Sequence, residues 1–142
     1  MGIDRDTFCD TRRIAIVPMG FCFPGLDSRK ADLPPRPECR AAWHDELMAA
    51  LPQIETVLVI GMYARDYHFA RLGLDRFSKM PMTEAISNWR EFAPVKPRLF
   101  LLPHPSWRNT GWLKKNPWFD TEILSQLRAE VARHVTGQSA AT

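Results

Sequence analysis

An apolar run, LFLL at residues 99–102, stops abruptly at PHPSWRNTGW, residues 103–112. A basic and aromatic segment, LKKNPWF at residues 113–119, follows before any acidic residue occurs. The apolar run predicts a buried strand, and the strand leads to His104 within a cationic, aromatic loop. The prolines on both sides of His104 restrict the backbone, because proline fixes its own φ and disfavours helical geometry in the preceding residue. The sequence therefore predicts that His104 is held in a defined position.

Two more apolar runs occur upstream, IAIV at residues 14–17 and TVLVI at residues 56–60, and both are predicted to be strands. The first is followed by a segment rich in Pro and Gly, residues 18–25, and the second by Gly61. In parallel sheets, ligands bind outside the carboxyl ends of the strands. We therefore expect one cleft to collect the residues that follow the three predicted strands.

Helical periodicity separates the predicted strands. Residues 38–51 place Cys39, Ala42, Trp43, Leu47 and Ala50 at helical spacing, and a second helix is expected after Gly61. Further helices are predicted from Thr83 to Phe92 and from Asp120 onward, whereas residues 1–12 lack periodicity and residues 21–37 form a proline-rich loop. Strands that alternate with amphipathic helices indicate an α/β fold, a three-layer α/β/α arrangement around a short, mostly parallel sheet.

The composition is that of a globular protein. The 142 residues are enough for one domain, 45% are hydrophobic and 25% are charged, which argues against disorder. The net charge is only +3, but residues 107–119 carry Arg108, Lys114 and Lys115 without an acid, so an anionic partner is plausible there. No segment resembles a signal peptide or a spanning helix, and the three cysteines lack a disulfide-rich spacing. We expect a cytoplasmic location.

The segment LPHPS, residues 102–106, resembles the second catalytic motif of the uracil-DNA glycosylase superfamily. Residues 107–119, 14–25 and 34–39 are similar to a bacterial branch of that superfamily. The resemblance implies a single uracil-DNA glycosylase-like domain over residues 1–142, incomplete at its N-terminus and lacking the family's first strand. The fold and activity of the superfamily are accordingly the expectation for this chain.

The resemblance also implies roles for the residues around His104. Breaking the bond between a uracil nitrogen and its sugar leaves negative charge on the O2 of the departing base, and a donor aimed at that oxygen stabilises the transition state. His104 would be this donor, and Ser106 would bind a neighbouring phosphate. Trp107 would face the duplex as an apolar wedge, with Arg108, Lys114 and Lys115 near phosphates. A lone histidine after a strand is more often structural, but the flanking prolines and Ser106 favour catalysis.

The base pocket implied by the resemblance lies at Pro18, Met19 and Gly20, where some relatives place a base-reading asparagine. The family's first motif, a glycine- and proline-containing loop that positions the attacking water, has no counterpart in the sequence. We therefore expect a truncated form that is weakly active or inactive. The resemblance leaves open which base is removed, uracil or a related deaminated base.

Cys22 and Cys39 resemble two of the four ligands in the iron-sulphur-containing members of the superfamily. A [4Fe-4S] cluster takes four thiolates. The second pair of those proteins has no counterpart here, and Cys9 alone cannot replace it. We expect no cofactor in this chain, with Cys22 and Cys39 as ligands only in a longer form.

Two functions remain open at this point. The first is a DNA base-excision glycosylase, an enzyme that hydrolyses the N-glycosidic bond of the damaged base; the second is a non-catalytic nucleic-acid-binding or interaction module on the same scaffold. The expected partner is DNA, without membrane contact, and the chain is expected to be a monomer. Trp118 is predicted to pack beside the last helix, and His44, His68 and His134, all on predicted helices, receive no function.

Overall fold

The computed structural model describes residues 2–106 and 109–136. The chain folds into two compact units. One comprises Met1–Ile16 and Pro105–Thr142, and the other comprises Val17–His104.

The unit Val17–His104 contains a parallel sheet of two strands, β1 (Thr56–Ile60) and β2 (Arg98–Leu102). The strands pair in register from Thr56 opposite Arg98 to Ile60 opposite Leu102. Side chains along a strand point alternately to the two faces of the sheet. Both runs are apolar because helices that cover a sheet bury the side chains on either face. Val59, Leu99, Phe100 and Leu101 are accordingly buried.

Four helices connect the two parallel strands, as a crossover connection requires. Their bounds are α3 (Gly61–Arg71), α4 (Asp75–Ser78), α5 (Met82–Ser87) and α6 (Trp89–Phe92). Helix α3 contacts both strands, whereas α5 and α6 contact β2. The helix predicted from Thr83 to Phe92 is divided in two, because the chain leaves helical geometry at Asn88, and it begins one residue earlier than predicted.

The core of this unit is aromatic. Phe69, Phe77 and Phe92 are fully buried, and their ring centroids lie between 5.1 and 5.9 Å apart in tilted or edge-to-face pairs. Such pairs are favourable beyond the area they bury. Arg65, also buried, donates to the backbone carbonyls of Ser78 and Met80 and so joins α3 to the turn between α4 and α5.

Helix α2 (Pro37–Ala49) confirms the predicted helix but not its predicted buried face. Its fully buried residue is His44, while the adjacent Trp43 is 59% exposed. Proline at the first helical position suits the start of a helix, because its missing N–H would have no partner there. Before α2, the segment from Val17 to Arg36 is irregular apart from one antiparallel bridge between Leu26 and Asp32.

The other unit is helical in its described residues. It contains α1 (Arg5–Cys9), α7 (Thr110–Lys115), a π-helical segment (Phe119–Leu124) and α8 (Ser125–Thr136). Residues 1–12, whose sequence shows no periodicity, nevertheless contain α1, which the Asp4 carboxylate caps by accepting from the Thr7 N–H at 2.7 Å. Phe119, Ile123 and Leu127 are buried along the π-helical segment and α8.

The predicted strand at residues 14–17 is a second correction. Ile14 instead donates its N–H to the Asp10 carbonyl at 3.0 Å, and Ile16 is 72% exposed. An apolar, β-branched run becomes a strand only when another strand pairs with it, and among the described residues no strand pairs with this segment.

The fold class is an α/β fold with a short parallel sheet, as predicted, and the sheet has two strands in the described residues where three were expected. Within the described ranges, no helix is both long enough and apolar enough to cross a bilayer.

Candidate functional site

The carboxyl ends of β1 and β2 lie side by side, which brings Gly61 and His104 together. A Cβ atom placed on Gly61 would lie 3.7 Å from the His104 Cβ and 3.8 Å from its Cδ2. The parallel register explains this closeness, since Ile60 and Leu102 are partners at the last position of the two strands. The expectation that residues after neighbouring strands meet at one edge is confirmed for this pair.

Gly61 occupies a backbone conformation that favours glycine. Its φ is +81°, in the region that a side chain makes unfavourable. The chain passes there directly from β1 into α3, so the strand turns sharply into the helix. Gly61 is buried, and its backbone lies directly beside the His104 side chain.

His104 is exposed, and so are Met62 and Tyr63 in the first turn of α3. An exposed imidazole at the carboxyl edge of a parallel sheet is accessible to an external ligand, and the exposed residues Met62 and Tyr63 follow directly after Gly61 in the chain. Exposed large apolar side chains near a polar group are typical of a binding surface.

Residues Pro18, Met19 and Gly20 lie on one irregular loop that is fixed by side-chain contacts. The Pro18 carbonyl accepts a hydrogen bond from Nε2 of His44 at 2.9 Å. On the other side of the loop, a Cβ on Gly20 would lie only 3.2 Å from the Pro35 Cβ. The loop is therefore packed closely, and Gly20 allows this close approach.

His44 is a residue that the sequence reasoning left without a function. It is fully buried, it stacks on Phe21 with centroids 5.1 Å apart, and the ring of Tyr67 meets it edge-on at 5.3 Å. A period of three to four residues through Arg40, His44, Leu47 and Leu51 would have identified this face of α2. The conspicuous Trp43 directed the prediction to the wrong face.

The ring cluster continues into α3. Tyr67 donates to Asp45 Oδ1 at 2.7 Å, and burial together with this hydrogen bond raises the pKa of Tyr67 to about 12. Burial, and then the positive charge of Arg71, lowers the pKa of the adjacent His68 to about 4. His68 is therefore an uncharged ring at neutral pH, packed edge-on against Tyr67 with centroids 5.0 Å apart.

The remaining predicted DNA contacts belong to the unit of residues 1–16 and 105–142. Ser106 is half-buried, and its carbonyl accepts a hydrogen bond from the Asn109 N–H at 2.9 Å. Trp107 and Arg108 lie outside the described residues. Lys114 and Lys115 are exposed in the last turn of α7, so this part of the predicted loop is a helix, formed between the prolines at 105 and 117.

Trp112 and Trp118 pack with Phe119, which is buried. Their centroid distances to the Phe119 ring are 5.2 and 6.3 Å, and the two indoles are 6.1 Å apart, all in edge-to-face arrangements. Asn116 links them, since it donates to the Trp112 carbonyl and accepts from Trp118 Nε1. The aromatic residues of this segment therefore form a packed cluster with the start of the last helix.

The residues present do not fit an iron-sulphur cluster held by cysteine alone. Such a cluster takes four thiolates, whereas the chain has three cysteines, Cys9, Cys22 and Cys39, all of them free thiols. In the described part of the chain, no group of three or more histidine, cysteine or acidic side chains is placed to hold a metal ion.

A known family matches most of the chain. The model described as the Uracil DNA glycosylase superfamily matches residues 1–128. This range includes the two strands, the loop at Pro18, and His104.

Proposed function

This chain belongs to the uracil DNA glycosylase superfamily, and from that premise we propose that it hydrolyses the N-glycosidic bond of uracil or a related deaminated base in DNA. The observation that supports the proposal is the position of His104. It is exposed at the carboxyl edge of the parallel sheet and lies against Gly61, within the segment LPHPS. A glycosylase-type DNA repair role is what membership of the superfamily suggests; the substrate and the site residues are our proposal.

In the proposed reaction, the bond between the base nitrogen and the sugar C1′ breaks, and the base leaves with the bonding electron pair. His104 donates a hydrogen bond to the O2 of the leaving base, where the negative charge gathers. Water adds its oxygen to C1′, and its released proton neutralises the base. A donor that binds the developing charge more strongly than the substrate oxygen accelerates the step.

The target nucleotide has to leave the base stack before this chemistry, which costs unstacking energy. We propose that Ser106 and the residues around it bind a phosphate next to the flipped nucleotide. Lys114 and Lys115 are exposed cations on α7 and would neutralise further phosphates. Trp107 and Arg108 remain proposed DNA contacts, and Pro18, Met19 and Gly20 the proposed wall of the base pocket.

We propose that excision by this chain is slow, since none of the residues proposed for the site is assigned to positioning the attacking water. Positioning the attacking water contributes to the rate separately from stabilising the leaving base. A slow reaction that still depends on His104 is therefore the expected behaviour.

Excision from a panel of oligonucleotides tests the proposal. Single- and double-stranded substrates would contain uracil, hypoxanthine or xanthine at one position, with thymine as the undamaged reference, and abasic sites would be revealed by alkaline cleavage. The protein should come from a host that lacks its own uracil-excising enzymes. We expect excision of at least one deaminated base by the wild type and by His134→Ala, whose histidine lies on α8, but not by His104→Ala.

The alternative of a non-catalytic nucleic-acid module makes a different prediction. It requires binding of these oligonucleotides without excision of any base, and the same result for His104→Ala as for the wild type. That outcome would replace the proposed activity.

A further inference from the structure

We propose that His44 is a positioning residue that holds the loop of Pro18, Met19 and Gly20 in the shape that accepts the excised base. This inference rests on the proposed function, because it assigns the base pocket to that loop. The contact that carries it is the hydrogen bond from His44 Nε2 to the Pro18 carbonyl, at 2.9 Å.

The hydrogen bond fixes the chemistry of the ring. A carbonyl oxygen only accepts hydrogen bonds, so the hydrogen between the two atoms is carried by Nε2. The other ring nitrogen, Nδ1, is buried and has no hydrogen-bond partner among the described residues. Burying an unpartnered polar atom is unfavourable, and a phenylalanine or leucine would fill this space without that cost. What the histidine adds is a donor aimed at the loop.

Three further contacts support the loop and the His44 ring. Phe21, at its end, stacks on the His44 ring with an interplanar angle of 28°, and Gly20 packs against Pro35. The Tyr67 ring meets His44 edge-on, with centroids 5.3 Å apart. His44 on α2 thus packs against Tyr67 on α3 and bonds the loop backbone at Pro18.

Three variants separate the donor from the packing. His44→Phe keeps a ring that can stack on Phe21 but cannot donate, whereas His44→Gln keeps an amide donor at a similar distance from the backbone. Phe21→Ala removes the loop's side of the stack, and because Phe21 is 49% exposed this variant is expected to fold normally. Tyr67→Phe is the matched control, since it keeps the ring against His44 and loses only the bond to Asp45.

The first measurement is the mobility of the loop by backbone NMR relaxation. We expect order parameters of Met19, Gly20 and Phe21 of about 0.85 in the wild type, His44→Gln and Tyr67→Phe. In His44→Phe they should fall below about 0.6, with β1 unchanged, and the loop in Phe21→Ala should become mobile as well. Values that stay unchanged in His44→Phe and Phe21→Ala would overturn the proposal.

The second measurement is base-selective binding, by fluorescence anisotropy, in a His104→Ala background so that no substrate is consumed. Affinity for a uracil-containing duplex should weaken about tenfold with His44→Phe and Phe21→Ala, while affinity for the matched thymine duplex stays constant. His44→Gln should restore most of the preference, and Tyr67→Phe should leave it unchanged. Equal weakening for both duplexes, or none, would overturn the role in the base pocket.

The two proposals fail separately. If the wild type excises no base but His44→Phe still loosens the loop and lowers the preference for uracil, the glycosylase activity is wrong and the role of His44 in recognising the base stands. If the wild type excises uracil and the His44 variants bind and move like the wild type, only the inference about His44 is wrong.

Discussion

Gly61 and His104 show how a single residue can decide whether a site exists. The backbone of Gly61 has a φ of +81°, and the space beside its Cα is occupied by the His104 side chain at ordinary contact distance. A methyl group would fit there without a clash, so the requirement for glycine comes from the backbone conformation. A left-handed conformation is unfavourable for any residue with a Cβ.

We predict that Gly61→Ala lowers the free energy of unfolding by about 1 kcal/mol. Urea denaturation followed by circular dichroism would measure the change. Gly111→Ala is the matched control, because Gly111 lies inside α7 with open space around its Cα and should tolerate or gain from the substitution. Equal stability of Gly61→Ala and the wild type would show that the turn can relax and does not hold His104 in place.

His68 gives the molecule a dependence on pH. Its pKa is lowered to about 4 from an ordinary 6.5, by burial first and by Arg71 second. As the pH falls, the unfolded chain therefore binds a proton at His68 at a higher pH than the folded protein does. The stability that results is fully present above pH 6.5 and is lost as the pH falls toward 4.

We expect the wild type to lose about 3 kcal/mol of unfolding free energy through His68 between these two pH values. In His68→Gln the curve of stability against pH should be flatter over this range. If His68→Gln keeps the wild-type slope, the ring is not the group that titrates.

At the scale of elements, α2, β1, α3 and β2 follow from the sequence. Their apolar runs and helical spacing can be recognised in the sequence without knowing which element packs against them. The parallel pairing of β1 with β2 explains why the residues after both strands meet. Residues 14–17 show the limit of such reasoning, because an apolar run becomes a strand only if another strand pairs with it. The buried face of α2 shows a second limit, since Trp43 is the larger apolar residue but His44 is the one covered by Phe21 and Tyr67.

Helix α7 carries the exposed positive charge proposed to meet DNA. Lys114 and Lys115 lie in its last turn, where cations also suit the negative end of the helix. Each lysine that neutralises a phosphate releases a counterion, so binding to DNA depends more steeply on salt when more lysines take part.

We predict that replacing Lys114 and Lys115 together with alanine weakens duplex binding and reduces the slope of log affinity against log salt by about 1 to 2. Anisotropy titrations at several salt concentrations would give the slope. Lys79→Ala removes an equally exposed charge from the other unit and should leave the slope as it is. An unchanged slope in the double variant would show that Lys114 and Lys115 are solvated charges at the end of the helix and do not neutralise DNA phosphates.

For the whole molecule, the alternation of strands and helices predicted an α/β fold, and the resemblance carried by LPHPS predicted the superfamily. The position of His104 against Gly61 could be anticipated, because parallel strands end at the same edge of a sheet. The support of the Pro18 loop by His44 could not, because it depends on a contact between residues 26 positions apart in the chain. The helical period through Arg40, His44, Leu47 and Leu51 indicates the face of α2, but not the carbonyl that the His44 ring binds.

The most direct test of the central claim is the single-turnover rate of uracil excision by the wild type and by His104→Ala. We predict a rate about 10²- to 10³-fold lower in the variant, the usual effect of removing one donor to a developing negative charge. The affinity for a uracil-containing duplex should change little, since the donor acts on the transition state. An excision rate that is the same in both proteins would contradict the account of His104.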